Sequence, residues 1–246
     1  MSNNSFPFPS RNAQNTEKKI YVHGQSYDTF EEQLLSYRRK VSSEASSIKN
    51  QYLYLEDEMI KSFQYVDPTI TNLPTTSVRF ATIIRECSNL FEIIARSIYK
   101  QLFDINSNYQ LNIFNFLSLD AFLHLRDVCL DSPSLEGEFA GHDILQPYKS
   151  LDGWDRNSSV TEEHVPQWWK AYNKVKHDIN GITSHGTFAN ALQAVGAINI
   201  IINRVYGSGV VGGTLIKPTN DGNSNQLLVP VSKLFIDDTV ITAKFG

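Results

Sequence analysis

A chain of 246 residues with 41 % hydrophobic side chains is long and apolar enough for one large or two small packed domains, so the composition describes a globular protein. The formal net charge of −4 and pI near 5.9 exclude a broadly basic nucleic-acid coat and confine any RNA contact to a local patch such as Lys170, Lys174 and Lys176. There is no apolar run of about eighteen residues and no charged-then-apolar leader, which makes a cytoplasmic protein without a membrane span the expectation.

Residues 1–18, rich in Asn, Ser and Pro, lack the apolar anchors that would offset the entropy of ordering them and read as a disordered tail. Lys19 to His23 suits a short strand. Thr29 and Glu32 then form a capping-box pattern that opens a helix. Its seam of Val41, Ala45, Ile48, Tyr52, Leu55 and Met59 runs to roughly Phe63, before Asp67-Pro68.

A second helix after Pro74 carries the cleanest seam: Phe80, Ile84, Cys87, Phe91, Ile94, Ile98 and Leu102. Arg85, Asn89, Glu92 and Arg96 lie opposite it. They are either a solvated stripe with a Glu92–Arg96 pair or one wall of a polar groove shared with the helix at 166–178. Residues 117–130 read as a third helix, with Leu119, Phe122, Leu123, Arg126 and Leu130 near one side, ended by Pro133. From about 134 to 165 the periodicity dissolves, which predicts an irregular insertion of loops or brief strands. Cys87 and Cys129 fall in apolar helical patterns and suit buried thiols in a reducing compartment; neither has metal-site spacing.

The run Pro166 to Asp178 concentrates two tryptophans, three lysines, an asparagine and a histidine. At about 100° per residue, Trp168, Tyr172 and Val175 share one helical face and Lys170, Asn173, Lys174 and His177 the other. Pro166 suits the first helical position, and Gly181 a stop. A histidine at the end of such a face is suited to proton transfer near neutral pH, with Asn173 one turn behind to orient it and Lys170 and Lys174 to attract phosphate. The plain alternative is a histidine that complements the helix dipole. Phe188, Leu192, Val195, Ile198, Ile202 and Val205 form a last, central helix, with Gly196 and several alanines for close approach by other helices and Gly207 as its cap. Residues 207–246 read as a Gly-rich turn and a β-prone tail. Gly207 to Gly212 has the spacing of a dinucleotide fingerprint but the reverse order of helix and strand, which argues against phosphate binding there.

The string Pro166-x-Trp168-Trp169-Lys170-x-Tyr172-Asn173-x-Val175-Lys176-His177, followed by Phe188-Ala189-Asn190-Ala191-Leu192, resembles the C-terminal helical pair of bacterial HEPN-like proteins, the higher eukaryote and prokaryote nucleotide-binding superfamily. Arg79 to Glu92 resembles that group's acidic second helix, and Leu145 to Trp154 the segment before its tryptophans. The resemblance implies a mainly all-α helical bundle over 19–206, usually a homodimer, with no cofactor and no metal. It implies either a metal-independent endoribonuclease of a toxin–antitoxin or anti-phage defence system or a non-catalytic dimeric binding or scaffold protein. The implied partners are RNA and a cognate antitoxin or defence protein. On that reading His177, Asn173 and Lys170 are the catalytic set, and Lys174, Lys176 and Arg85 bind RNA. Catalytic members carry an arginine four to six residues before the histidine; here the basic counterpart is Lys170, followed by Ala171. Lysine lacks the bidentate fork of arginine.

Overall fold

The computed structural model describes residues 20–22, 25–27, 32, 37, 42–103, 110–132, 135, 139, 142–155, 158–206, 214–216, 227–229 and 232–237. These residues form a mainly helical bundle, as the sequence predicts. The expected tail at 1–18, the capping box at Thr29 and the glycine string at 207–212 lie outside them.

The first strands, β1 (Ile20–Val22) and β2 (Gln25–Tyr27), pair antiparallel. Helix α1 spans Ser42–Ser62. Its seam residues Ile48, Tyr52, Leu55 and Met59 are buried against later helices of the same chain. Ala45 of the same seam is half-buried, and Val41 lies outside the described residues. Helix α2 (Val78–Phe103) begins where Ser77 Oγ accepts from Phe80 N at 3.0 Å. Its seam from Phe80 to Ile98 is buried throughout.

The helix expected over 117–130 is not continuous. Asn112 caps a short α3 (Ile113–Ser118), accepting from Phe114 N and Asn115 N, and α4 (Asp120–Leu123) ends at His124 in the left-handed region, φ 52°. A carboxylate causes the reversal: Asp120 accepts from Arg126 N at 2.8 Å and Arg126 Nε at 2.6 Å, folding the chain back on itself. Cys129 therefore lies outside any helix and is half-buried, whereas Cys87 is fully buried in α2 and desolvation pushes its thiol well up. The chain continues into β3 (Leu130–Asp131).

The stretch expected as an insertion holds 3-10 turns at 143–145, 149–151 and 162–164, and no strand among its described residues. It is part of the core. Phe139, Ile144, Leu145, Tyr148, Leu151, Trp154, Val160 and Val165 are all buried, and Tyr148 donates its hydroxyl to Ala197 O at 3.0 Å.

Pro166 caps α5 (Gln167–His177) from just outside it, accepting from Trp169 N and Lys170 N. The chain does not stop at Gly181. It turns at Asp178 into α6 (Ile179–His185), where a Cβ on Gly181 would stand 2.3 Å from Lys174 O. Helix α7 (Phe188–Tyr206) is buried on nearly every side and packs on α1, α2 and α5. A Cβ on Gly196 would meet Leu130, Pro147 and Phe235 side chains, so its close neighbours are β3 and two non-helical segments, not a helix. Beyond α7, β4 (Thr214–Ile216) pairs with β5 (Leu227–Val229), and β6 (Ile236–Asp237) pairs with β3.

Candidate functional site: the exposed face of α5

The two faces of α5 separate as the helical spacing predicts. Trp168, Trp169, Ala171, Tyr172 and Val175 are buried. Phe91 of α2 is the hub of this side, with ring centroids 5.4 Å from Trp168 and 5.6 Å from Trp169; Trp169 in turn lies 5.1 Å from Tyr172. Trp168 Nε1 donates to Pro147 O at 3.1 Å, so even this polar atom is satisfied inside the protein. Such packing fixes the helix rotation and with it the direction of the opposite face.

On that opposite face Asn173, Lys174 and His177 are exposed and Lys170 is half-buried, while Lys176 is exposed at the edge next to Tyr172. Lys170, Lys174 and His177 follow one stripe, separated by about 6 and 4.5 Å of helical rise. Among the described residues none of the three lysines makes an ion pair. Lys176 leans back, its Nζ 5.1 Å from the centroid of the Tyr172 ring. No hydrogen bond joins Asn173 to His177, so the two expected partners share a face without the bond that would orient the imidazole. Lys174, Lys176 and His177 occupy the last turn, where cations complement the helix dipole.

Among the described residues one hydrogen bond joins the α2 stripe to α5. Tyr172 donates its hydroxyl to Asn89 Oδ1 at 3.3 Å. Arg85, one turn earlier, is half-buried and donates to Thr82 Oγ1 of its own helix at 3.2 Å; no hydrogen bond or ion pair joins it to α5 among the described residues. Glu92 and Arg96 form the expected i, i+4 pair at 2.5 Å, and the Arg96 guanidinium also covers the Phe116 ring at 5.7 Å, a packing role. The structure thus gathers Lys170, Asn173, Lys174 and His177 on one face and leaves Arg85 apart from them. No group of three or more His, Cys, Asp or Glu side chains suited to holding a metal ion occurs among the described residues.

No family model, curated protein or solved structure matches this chain. The HEPN resemblance rests on the residues quoted for it. No helix among the described residues is long and apolar enough to cross a membrane.

A second polar cluster escaped sequence reading. Glu56 and Asn199 are buried among α1, α7 and the segment Ser232–Phe235. The Glu56 carboxylate accepts from Tyr52 OH at 2.9 Å, Lys233 N at 3.1 Å, Leu234 N at 3.1 Å and the Ser232 hydroxyl. Asn199 Nδ2 donates to Tyr52 OH at 3.0 Å, and Asn203 Nδ2 to Asn199 Oδ1 at 3.0 Å. The signal was present: Glu56 lies one turn from Tyr52 beside an apolar seam, and Asn199 and Asn203 interrupt the apolar run in the second half of α7. What the sequence lacks is any local mark that Ser232 faces Glu56.

Proposed function

We propose that this chain is an RNA-associated, HEPN-like helical protein that uses the exposed face of α5 to hold a phosphate backbone, acting as a binding module. The observation that carries this reading is the set Lys170, Lys174 and Lys176. These are three cations within seven residues on a helix whose other face is anchored by tryptophans, and none is paired with a carboxylate among the described residues. In a chain of net charge −4, such a patch favours a focal polyanion contact over a diffuse one. Binding is favoured over cleavage because Asn173 does not hydrogen-bond His177 and Lys170 stands where the resemblance calls for arginine. A homodimer and a defence or antitoxin partner belong to the same proposal through that resemblance.

The test is fluorescence anisotropy of a labelled single-stranded RNA against the full chain over a salt series. Three neutralised phosphates give a log–log slope of about −2. Combined Lys170→Ala and Lys174→Ala should weaken binding and flatten that slope, with helical circular dichroism unchanged. RNA binding that is absent, or unaltered in the double variant, removes the reading. Cleavage of total RNA by the wild type but not by His177→Ala would replace it with the endoribonuclease alternative.

A further inference from the structure

We propose that His142 and His164 form a proton-sensitive clasp, which holds the 3-10 turns at 143–145 and 162–164 while both rings are neutral and releases them when both are protonated. Both rings do the work of a capping side chain. His142 caps the first turn, its Nδ1 accepting from Ile144 N at 3.2 Å. His164 closes the second turn and reaches back as a capping-box glutamate would, its Nδ1 accepting from Thr161 N at 3.0 Å. A ring nitrogen that accepts carries no proton, so in both residues the neutral ring is protonated on Nε2. Protonation sets a second N–H at Nδ1 against the backbone N–H already there, and the acceptor is lost. Among the described residues these are the two histidines whose rings accept from a backbone N–H; His124 Nδ1, by contrast, lies 3.0 Å from Asp127 Oδ2, an arrangement that a proton strengthens.

The two caps belong to one unit. Lys149 ion-pairs with Asp143, next to His142, and Ser150 Oγ donates to His164 O at 2.8 Å, so the turn at 149–151 joins both histidines. Between the caps, Pro147 O accepts from Trp168 Nε1 and the Tyr148 ring lies 6.2 Å from that of Trp168, which makes the unit part of the seat of α5. The carboxylates nearby favour the protonated rings. Asp143 adjoins His142, and Glu163 Oε1 lies 3.9 Å from His164 Nε2. Glu163 also accepts from Thr161 Oγ1 at 3.0 Å, which leaves that oxygen, 2.8 Å from His164 Nδ1, able to take the new N–H in place of the backbone. The other packed elements add little charge: the turn at 149–151 brings Lys149, already on Asp143, and α7 brings Gln193 to Asp143 O and no titratable side chain before Arg204.

The experiment follows the full-length, nitrogen-15-labelled chain by NMR from about pH 8 to about pH 5.5, the range over which imidazoles take up a proton. At the upper end both rings should show the Nε2–H tautomer. As they protonate, the Ile144 and Thr161 amides should each lose about fivefold of their exchange protection, corrected for the intrinsic pH dependence, which is what one cap contributes; the amides of α2 and α7 should keep theirs. Unchanged protection once the rings are protonated, or an Nδ1–H tautomer at the upper end, overturns the proposal. The double variant His142→Asn with His164→Asn supplies a side-chain oxygen that accepts at every pH, so protection at both amides should no longer respond to acid. A response that persists in the folded double variant also overturns the proposal, and if that variant does not fold, the wild-type measurement decides alone. The lysines of α5 take no part, so either result leaves the RNA reading standing.

Discussion

Glu56 and Asp120 are the two buried carboxylates among the described residues, and their surroundings compensate them by opposite means. Asp120 has a cation. Arg126 binds it through Nε and the backbone N, and the same guanidinium donates from Nη1 to Leu151 O and to Trp154 O while lying 5.1 Å from the Trp154 ring. Glu56 makes no ion pair among the described residues and accepts from a phenol, a serine and two backbone N–H groups. One carboxylate therefore acts as a local latch, six residues from its partner, that shapes the turn after α4. The other joins elements far apart in sequence, α1 and residues 232–234. Each also marks a buried tyrosine. Desolvation, then the charge of Glu56, pushes the Tyr52 phenol well above its usual value, and desolvation, then the charge of Asp120, does the same to Tyr148.

The largest test of the contrast removes the cation. Arg126→Met leaves Asp120 buried and uncompensated and should cost about 3–5 kcal/mol in chemical denaturation, part of which Asp120→Asn in the same chain restores. A loss below about 1 kcal/mol would mean that Asp120 is stabilised by something other than Arg126. For scale, Trp169→Ala, an apolar loss at the Phe91 cluster, should cost about 3 kcal/mol by the large-to-small rule. Glu56→Gln keeps the shape but turns an amide N–H₂ towards groups that donate. It should cost about 2 kcal/mol by leaving buried donors unmet, and the Lys233 and Leu234 amides should lose exchange protection before those of α7.

A pH series probes both regions together. Tyr52 and Tyr148 have folded pKa values raised above the ordinary 10.0, so the native state keeps protons that the unfolded chain releases. Their contribution is fully present below about pH 10 and is lost as pH rises further. Tyrosinate absorbance from these two rings should thus appear together with loss of helical circular dichroism; ionisation of all tyrosines while the bundle stays intact would contradict the burial. The smallest effect belongs to the exposed face of α5. His177→Ala and Lys174→Ala should each move stability by less than about 0.5 kcal/mol, and a larger change would show that the face is engaged by other parts of the chain.

The seams of α1, α2 and α7 and the two faces of α5 were legible in the sequence because helical periodicity is local: each residue's face follows from its neighbours three and four positions away. The same rule misread residues 117–130, whose spacing fits a helix equally well, because the rule cannot see the Asp120 carboxylate turn back to Arg126. Gly181 looked like a helix stop for a similar reason, although its role is to let α6 approach Lys174 O. The part played by residues 142–155 and 158–165 in the core, the meeting of Tyr172 with Asn89, and the seating of Ser232 to Phe235 on Glu56 belong to tertiary structure alone. These contacts join residues 83 to 178 positions apart or draw on apolar residues without period. Local preference sets where a helix forms, but which buried polar group meets which donor is decided only when distant segments are desolvated against one another.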